Sequence, residues 1–448
     1  MRKIMIATLL SLACVTFAGA KPMEKGVWIN GFEHGFFTEE EVKETVRDAK
    51  TLGVTHLFVQ MRKNADACYM SNYEPHAKEI APDFDALACL IKEGHANGLK
   101  IHAWVNACRI WRDNSMPTDP NHIANLHKDW YNKTVTGEYT SEEGVYIDPA
   151  IPEARAHLVK VVSDIATHYD IDGLQLDYIR YPGKSWGYSD YAVEKFNEEF
   201  GRTGKPEVTD PDWVVWRADQ VPKMVREIRT ELKAVRPDVV FSVTTIAWGS
   251  WNEDFHKTPP YYYCYQDWYR WVREDLIDLN VPMNYRQEFK PDMAAQFRKW
   301  TNAYPKWNAG KPVYVGIGSW YNSAADAFKQ VKYVENFDND GYVFYMFNKG
   351  KCRDALLEYV KSGKSETTEY ETVMAKGMRL LERNQIGMAI VQFKKAAELE
   401  SGAASPYVYL GKCALKENNK SQAKKYFEKA CALDPTDSEA REGLEALK

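Results

Sequence analysis

The sequence predicts an α/β fold, a (β/α)8 TIM barrel, followed by a small all-α domain of tetratricopeptide repeats. Strand-like apolar runs alternate with amphipathic helical stretches. Eight such strands fit within roughly 330 residues, which is the size of a closed parallel barrel. A helical pattern with a 34-residue period then recurs near the C terminus. A doubly wound sheet is less favoured because the chain has no Gly-rich phosphate-binding turn.

The barrel elements follow one another in a βα rhythm. Helices are predicted at residues 39–52, 84–97, 153–168 and around 212–235. The loops after the third and fifth strands are long, so we expect them to form walls above the barrel mouth. The eight strands are predicted at residues 26–31, 54–62, 99–106, 174–176, 239–247, 281–285, 312–318 and 341–347.

The chain divides into four segments. Residues 1–20 combine a basic start, an apolar run and a small-residue cleavage pattern, which predicts a signal peptide and export to the periplasm or cell envelope. Lipid attachment at Cys14 is the less favoured alternative. The barrel is expected over residues 21–360, a polar linker over 361–368 and the repeats over 369–448.

Composition narrows the class of protein. The 448 residues carry 58 basic and 63 acidic side chains, a formal charge of -5, so nucleic acid is not an expected partner. After the signal peptide no apolar run is long enough to cross a membrane. The remaining cysteines are scattered without a Cys-x-x-Cys pair, and neither a metal nor a cofactor is implied.

The C-terminal repeat is defined by small residues and a Phe at matching positions. Gly377, Ala389, Phe393 and Ala396 recur 34 residues later as Gly411, Ala423, Phe427 and Ala430. This spacing is typical of tetratricopeptide helix pairs, and residues 437–448 resemble a capping helix. Two repeats are few for independent stability, so we expect them to pack on the barrel or on a partner. Structural support and docking of a protein or peptide remain equal alternatives.

Asp177 is the main candidate for chemistry. Gly173 permits a tight entry, the run from Leu174 to Leu176 is strand-like and Pro182 ends it, which places Asp177 at the carboxyl end of a barrel strand. Active sites of TIM barrels lie at that end. Asp172, at the opposite end, is expected to be structural.

Short motifs recur in a fixed order over residues 24–350, and in that order they resemble the secreted barrel enzymes of glycosyl-hydrolase-like family 10. The resemblance implies hydrolysis of glycosidic bonds, and peptidoglycan strands stripped of their peptides are among the family's known or suspected substrates. Asn284 stands where relatives place Gln, and repeats are not a general feature of the family. The motifs are Gly26-Val27-Trp28, Val59-Gln60-Met61-Arg62, His102-Ala103-Trp104-Val105-Asn106, Ile147-Asp148-Pro149, Gln266-Asp267-Trp268 and Val281-Pro282-Met283-Asn284-Tyr285.

Glycoside hydrolysis normally needs a second carboxyl group. Glu288, just after the sixth strand, is the first candidate. Glu253 or Asp254, after the fifth, is the alternative, and Glu33, after the first, follows. If Arg180 or Arg62 flanks Asp177, the pKa of Asp177 should fall, which would suit a nucleophile and leave proton donation to its partner.

Side chains at or just after strand ends are the candidates for binding a sugar, because they point into the mouth of a barrel. A carbohydrate-binding scaffold without catalysis, and a hydrolase of capsular, dietary or exopolysaccharide, are the alternative functions. The candidate contacts are Arg62, Asn106, Arg109, Tyr178, Arg180, Trp248, Asn284, Tyr285 and Trp320.

Overall fold

A computed structural model describes residues 23–113, 115–337, 339–365 and 368–447. The predicted signal peptide, residues 1–20, lies outside these residues, as do residues 366 and 367 of the predicted linker. The strands are β1 (Glu24–Ile29), β2 (His56–Arg62), β3 (Lys100–Asn106), β4 (Arg109–Trp111), β5 (Thr140–Ser141), β6 (Gly144–Tyr146), β7 (Gly173–Asp177), β8 (Val240–Ile246), β9 (Leu279–Met283), β10 (Tyr314–Gly318) and β11 (Gly341–Tyr345).

The helices alternate with these strands and then continue alone to the C terminus. Single 3-10 turns lie at Lys128–Trp130 and Phe255–Lys257. The helices are α1 (Glu39–Leu52), α2 (Ala86–Ala96), α3 (Ile123–Leu126), α4 (Pro152–His168), α5 (Asp190–Phe200), α6 (Pro211–Val235), α7 (Pro259–Tyr262), α8 (Trp268–Arg273), α9 (Pro291–Trp307), α10 (Ala324–Asn336), α11 (Lys351–Lys361), α12 (Glu369–Glu382), α13 (Ile386–Leu399), α14 (Ser405–Lys416), α15 (Lys420–Leu433) and α16 (Ser438–Glu445).

Eight parallel strands form one sheet in the order β10-β11-β1-β2-β3-β7-β8-β9. Its two outer strands meet where Asn280 pairs in parallel with Val313, and the Asn280 amide donates to the carbonyl of Pro312 at 3.1 Å. This bridge closes the sheet, so the predicted TIM barrel is confirmed.

The barrel interior is filled by large side chains from alternate strand positions. Each strand is buried on both faces, because helices cover the outside and these side chains fill the inside. The inner cluster comprises Trp28, Phe58, Trp104, Leu279, Val281, Tyr314 and Val343.

Local signals fix the helix ends. The Thr38 hydroxyl accepts a hydrogen bond from the amide of Glu41 at the start of α1, and Gly53 ends that helix in the left-handed region at φ 77°. Asp210 caps the first turn of α6, whose first residue is Pro211. The long helices therefore begin and end close to their predicted positions.

A small antiparallel sheet interrupts the barrel pattern between β3 and α4. Its strands lie in the order β4-β6-β5, and β4 follows β3 after two residues. A two-residue turn, Glu142 and Glu143, joins β5 to β6. A Cβ on Gly144 (φ 110°) would lie 2.0 Å from the carbonyl oxygen of Trp111, so only glycine allows this close approach.

The C-terminal helices form two hairpins and a last helix. Gly377 of α12 packs on Phe393 of α13, and Gly411 of α14 packs on Phe427 of α15 in the same way 34 residues later. The predicted all-α domain is present. It contacts the barrel through α10, where Lys332 pairs with Glu371 of α12 at 2.7 Å.

No helix in the described part of the chain is both long enough and apolar enough to cross a bilayer.

Candidate active site

A cavity of about 420 Å³ opens at the carboxyl end of the barrel strands. Side chains from β1, β2, β3, β4, β7, β8, β9 and β11 reach it, together with the turn of the small sheet and the segments after β1, β4, β7, β9 and β10. A larger groove of about 870 Å³ lies outside the barrel between α4 and α6. That groove has no residue at the end of a barrel strand, so the mouth cavity is the candidate site.

Asp177, the last residue of β7, lies in the wall of this cavity and is 5% exposed. Its Oδ1 accepts hydrogen bonds from the Thr244 hydroxyl at 2.5 Å and from the Tyr178 amide at 2.7 Å. Its Oδ2 accepts one from the Trp104 indole at 3.2 Å. The carboxyl group is thus fixed in orientation by three donors.

Burial raises the pKa of Asp177 above its ordinary value, against the lowering effect of these hydrogen bonds and of Arg180 and Arg109. A lowered pKa was expected from the neighbouring arginines. Desolvation outweighs their attraction because Asp177 forms no ion pair with either guanidinium among the described residues. A carboxyl with a raised pKa is suited to donating a proton.

Tyr178 lines the cavity beside Asp177 although the two residues are consecutive. Successive side chains of a strand normally point to opposite faces. Tyr178 has φ 51°, in the left-handed region, and this departure from the strand conformation lets its ring join the same cavity.

Two further carboxyl groups line the cavity, those of Glu142 and Glu143 in the turn of the small sheet. Glu143 pairs with Arg180 at 2.8 Å and accepts a hydrogen bond from the Tyr146 hydroxyl at 2.6 Å. Burial acts to raise the pKa of Glu143, but Arg180 and Tyr146 together hold it below its ordinary value. Glu142 is exposed at the cavity rim.

The pKa values of Asp177 and Glu143 are therefore shifted in opposite directions. Asp177 holds its proton to a higher pH than usual, whereas Glu143 stays ionised to a lower pH. Two carboxyl groups of one cavity that differ in this way can serve as acid and as base or nucleophile.

Aromatic rings form much of the remaining wall. Tyr285 and Tyr345 lie in near-parallel planes with centroids 5.6 Å apart, and Trp320 meets both edge-on. Trp320 is 42% exposed, so its ring is available at the mouth. Flat exposed rings can stack on the apolar faces of sugars.

Arg109, the first residue of β4, also lines the cavity. Its guanidinium lies over the Tyr178 ring at 3.9 Å from the centroid and 5.8 Å from that of Phe32. Arg109, Tyr178, Tyr285 and Trp320 are thus the four proposed sugar contacts that the cavity brings together with Asp177.

Arg62 and Asn106 do not reach the cavity. Arg62 is completely buried and pairs with Glu74 at 2.6 Å. An irregularity in the β2–β3 register between Gln60 and Arg62 puts Gln60, not Arg62, in the cavity wall. Asn106 lies buried behind Gln60, from which its Oδ1 accepts a hydrogen bond at 3.0 Å.

Asn284 points away from the cavity, unlike its neighbours Met283 and Tyr285. Its Nδ2 donates to the Phe297 carbonyl at 3.0 Å and to the Thr301 hydroxyl at 3.2 Å, both on α9. Adjacent positions of an extended segment face opposite ways, so Asn284 and Tyr285 do not line the same cavity.

Arg180 and Trp248 act behind the wall. Arg180 is buried, and its guanidinium lies 5.0 Å from the Trp248 ring centroid and forms the ion pair with Glu143. Neither residue lines the cavity. Their geometry fits a role in holding Glu143 in place.

Glu288 and Glu253, proposed as second carboxyls, lie outside the cavity wall. Glu288 pairs with Arg298 of α9 at 2.6 Å and accepts a hydrogen bond from Gln330 at 3.3 Å. Glu253 is exposed in the loop after β8. The chain leaves the barrel after β9, so closeness to a strand end in sequence does not bring Glu288 to the mouth.

Glu142, Glu143 and Gln60 are polar residues of this cavity that sequence reasoning missed. It also missed Asn30, Phe32, Arg112, Thr244, Met283 and Tyr345. The segment that carries the two glutamates is polar and has no strand-like or helical period long enough to place it. The one available signal was the length of the loop after the third strand, which was predicted to form a wall of the mouth.

Comparison with known proteins agrees with the geometry. The family model for Glycosyl hydrolase-like 10 matches residues 23–338. The chain belongs to this family. The glycosyl hydrolase YngK of Bacillus subtilis is 28% identical over 321 residues, which are 63% of this chain and 60% of that protein.

The glycosyl hydrolase DigH of Escherichia coli K12 is 26% identical over 265 residues, which are 52% of this chain and 55% of that protein. The chain thus spans little more than half the length of these relatives. The PgaB (BpsB) glycoside hydrolase domain from Bordetella bronchiseptica matches with a TM-score of 0.58 at 12% identity, covering 77% of this chain and 98% of that domain. This last likeness supports the barrel fold.

A second family model, described as Regulator of microtubule dynamics protein 1-3, matches residues 378–448. The match falls within the C-terminal helices and does not extend to the barrel.

Proposed function

We propose that this protein is an exported glycoside hydrolase that cleaves O-glycosyl bonds in a cell-envelope glycan. The observation that carries the proposal is the placing of Asp177 and Glu143 in the wall of one barrel-mouth cavity with pKa values shifted in opposite directions. Membership of a glycosyl-hydrolase-like family supports the same reaction.

In this mechanism Asp177 donates its proton to the oxygen of the scissile bond as that bond breaks. Glu143 supplies negative charge on the other side of the sugar ring, either attacking the anomeric carbon or removing a proton from the attacking water. Arg180 keeps Glu143 ionised for this role. The proposal replaces Glu288 and Glu253 as second carboxyls with Glu143.

The rings of Tyr285, Tyr345 and Trp320 are proposed to bind the sugar faces. Three carboxyl groups in the cavity wall favour a hydrolase over a scaffold, since a scaffold needs no second carboxyl there. Peptide-free peptidoglycan strands are the first substrate to test, and capsular, dietary and exopolysaccharide chains are the next.

The C-terminal helices are proposed to be tetratricopeptide repeats, because the contact between Gly377 and Phe393 is repeated 34 residues later by Gly411 and Phe427. One edge of the repeats rests on α10. A protein or peptide partner is proposed to bind the helical surface that remains exposed.

The test is an incubation of the purified protein with peptide-free peptidoglycan strands and a panel of polysaccharides, with products identified by mass spectrometry. We expect shortened strands with new reducing ends from the wild-type protein and none from Glu143→Gln. Glu142→Gln should retain activity. Absence of product from every glycan would refute the hydrolase and favour the scaffold, and full activity of Glu143→Gln would refute its role.

A further inference from the structure

Arg109 differs from the other buried arginines of the described chain because its side chain has no oxygen partner. It is 5% exposed, yet its Nε has no hydrogen-bond acceptor, and its guanidinium forms neither a hydrogen bond nor an ion pair within the described residues. The other five buried arginines all have oxygen partners. These are Arg62 with Glu74, Arg180 with Glu143, Arg217 and Arg286 with backbone carbonyls, and Arg353 with Glu44.

A buried cation without a partner is costly, since it has lost its hydration and gained no acceptor. Such groups call for a specific explanation. Arg109 lies in the wall of the cavity that holds Asp177, and only its Nε is inaccessible, so a molecule bound in the cavity can supply an acceptor to the Nη atoms.

The surroundings of Arg109 define the shape of that acceptor. Tyr178 covers one face of the guanidinium at 3.9 Å, which leaves the edge with its N–H donors for a ligand. A guanidinium edge presents parallel donors that match the two oxygens of a carboxylate. Arg112, exposed on the cavity rim and 4.7 Å from the Phe32 centroid, adds a second positive charge beside it.

The part of the cavity beside Arg109 and Arg112 carries a net positive charge. The charge of Glu143 is balanced by its ion pair with Arg180, which lies behind the wall, and burial keeps Asp177 protonated to a higher pH than usual. A negatively charged substituent therefore meets attraction at Arg109 and repulsion at Glu142, which would fix the direction in which a glycan chain enters.

We propose that Arg109 binds a carboxylate carried by a sugar of the substrate, so that the protein acts on an acidic glycan. The inference rests on the proposed function for its substrate class. Peptide-free peptidoglycan fits it chemically, because removing the peptide frees the carboxylate to which the peptide was attached.

Binding is the decisive measurement, because it can be read even if no glycan is cleaved. The Asp177→Asn protein is titrated with peptide-free strands and with the same strands after conversion of their carboxylates to carboxamides. Polygalacturonate and its carboxyl-reduced form test a uronic acid as the other source of carboxylate. We expect at least one charged glycan to bind roughly tenfold or more tightly than its neutral counterpart.

Replacement of Arg109 should weaken binding of the charged glycans much more than binding of their neutral counterparts, so that the preference for charge is lost. All variants are made in the Asp177→Asn protein. Arg109→Met should lose the preference for charged glycans, and Arg109→Lys should retain part of that preference. Arg47→Gln, on the exposed surface of α1, should retain the full preference. Circular dichroism and the urea midpoint establish that each variant is folded.

Equal binding of charged and neutral glycans, or of none, overturns the inference. So does an equal loss of both on replacing Arg109, since that would indicate a structural role. Hydrolysis by the wild-type protein is measured in parallel. A charge preference without cleavage of any glycan would refute the proposed hydrolase and leave the carboxylate site standing.

Discussion

Asp172 and Asp177 lie at the two ends of the same strand, β7, and their carboxyl groups lie in different environments. At the amino-terminal end, Asp172 accepts hydrogen bonds from the His95 ring at 2.8 Å and the Ile101 amide at 2.7 Å, and it links α2 and β3 to β7. At the carboxyl end, Asp177 is buried in a cavity wall and keeps its proton to a higher pH than usual.

The difference shows that position along a barrel strand decides what a carboxylate does. At the amino-terminal end, tertiary contacts use the charge for stability. At the carboxyl end, loops enclose the carboxyl group in a cavity where part of its surface remains available to a ligand.

The largest expected effect is the difference in kcat between two variants, each with one of these aspartates replaced by asparagine. Asp177→Asn should lower kcat by about 10²- to 10⁴-fold, because the proton donor is lost. Asp172→Asn should leave kcat almost unchanged and lower the free energy of unfolding by about 1–2 kcal/mol, since hydrogen bonds to a charged acceptor are weakened. Steady-state kinetics and urea unfolding measure both quantities. A large fall in kcat for Asp172→Asn would contradict the conclusion that Asp172 serves stability alone.

A second prediction concerns the packing at the amino-terminal end of β7. A Cβ on Gly173 would lie 2.0 Å from Nδ1 of His102, a buried ring in the barrel interior. Gly173→Ala should therefore lower the free energy of unfolding by about 1–3 kcal/mol or more. Gly387→Ala, which meets open space on α13, is the control and should not destabilise the protein. Equal urea midpoints for the two variants would contradict this packing.

The third and smallest effect concerns the pH dependence of kcat. Asp177 must be protonated to act as the acid, so activity should fall as the pH rises through its raised pKa. Glu143 must be ionised, so activity should fall as the pH drops through its lowered pKa. The Thr244 hydroxyl stabilises the carboxylate form of Asp177.

Thr244→Val should therefore raise the pKa of Asp177 further and move the alkaline limb of the kcat profile to higher pH. The acidic limb should stay where it is. Thr244→Ser, which keeps the hydroxyl, should retain the wild-type profile. An alkaline limb that is the same in wild type and Thr244→Val would show that it reports another group.

The fold could be predicted from sequence because each barrel element carries its own local signal. The predicted strands at residues 54–62 and 239–247 contain the observed β2 and β8, and the predicted helix at 39–52 has the bounds of α1. Buried parallel strands are short apolar runs and the covering helices are amphipathic, and both patterns are visible within a short window.

The cavity was predictable only in part. Asp177, Tyr178, Tyr285 and Trp320 line it as their positions at strand ends suggested, and Arg109 does so from the adjoining small sheet. Arg62 does not reach the cavity because of an irregularity in the strand register. Asn284 does not reach it because adjacent residues of an extended segment face opposite ways. The irregularity depends on pairing with the neighbouring strand, which no local pattern records. The alternation is a local property, but packing against α9 decides that Tyr285 faces the cavity and Asn284 does not.

The sequence by itself determined the number and order of the barrel strands, the 34-residue period of the C-terminal helices and the strand end that carries Asp177. Only the tertiary structure decided which carboxyl groups share a cavity with Asp177 and which guanidinium is left without an oxygen partner. The reason is that hydrophobic period is a local property of the chain, whereas burial and ion pairing depend on contacts such as that between Arg180 and Glu143, residues far apart in sequence.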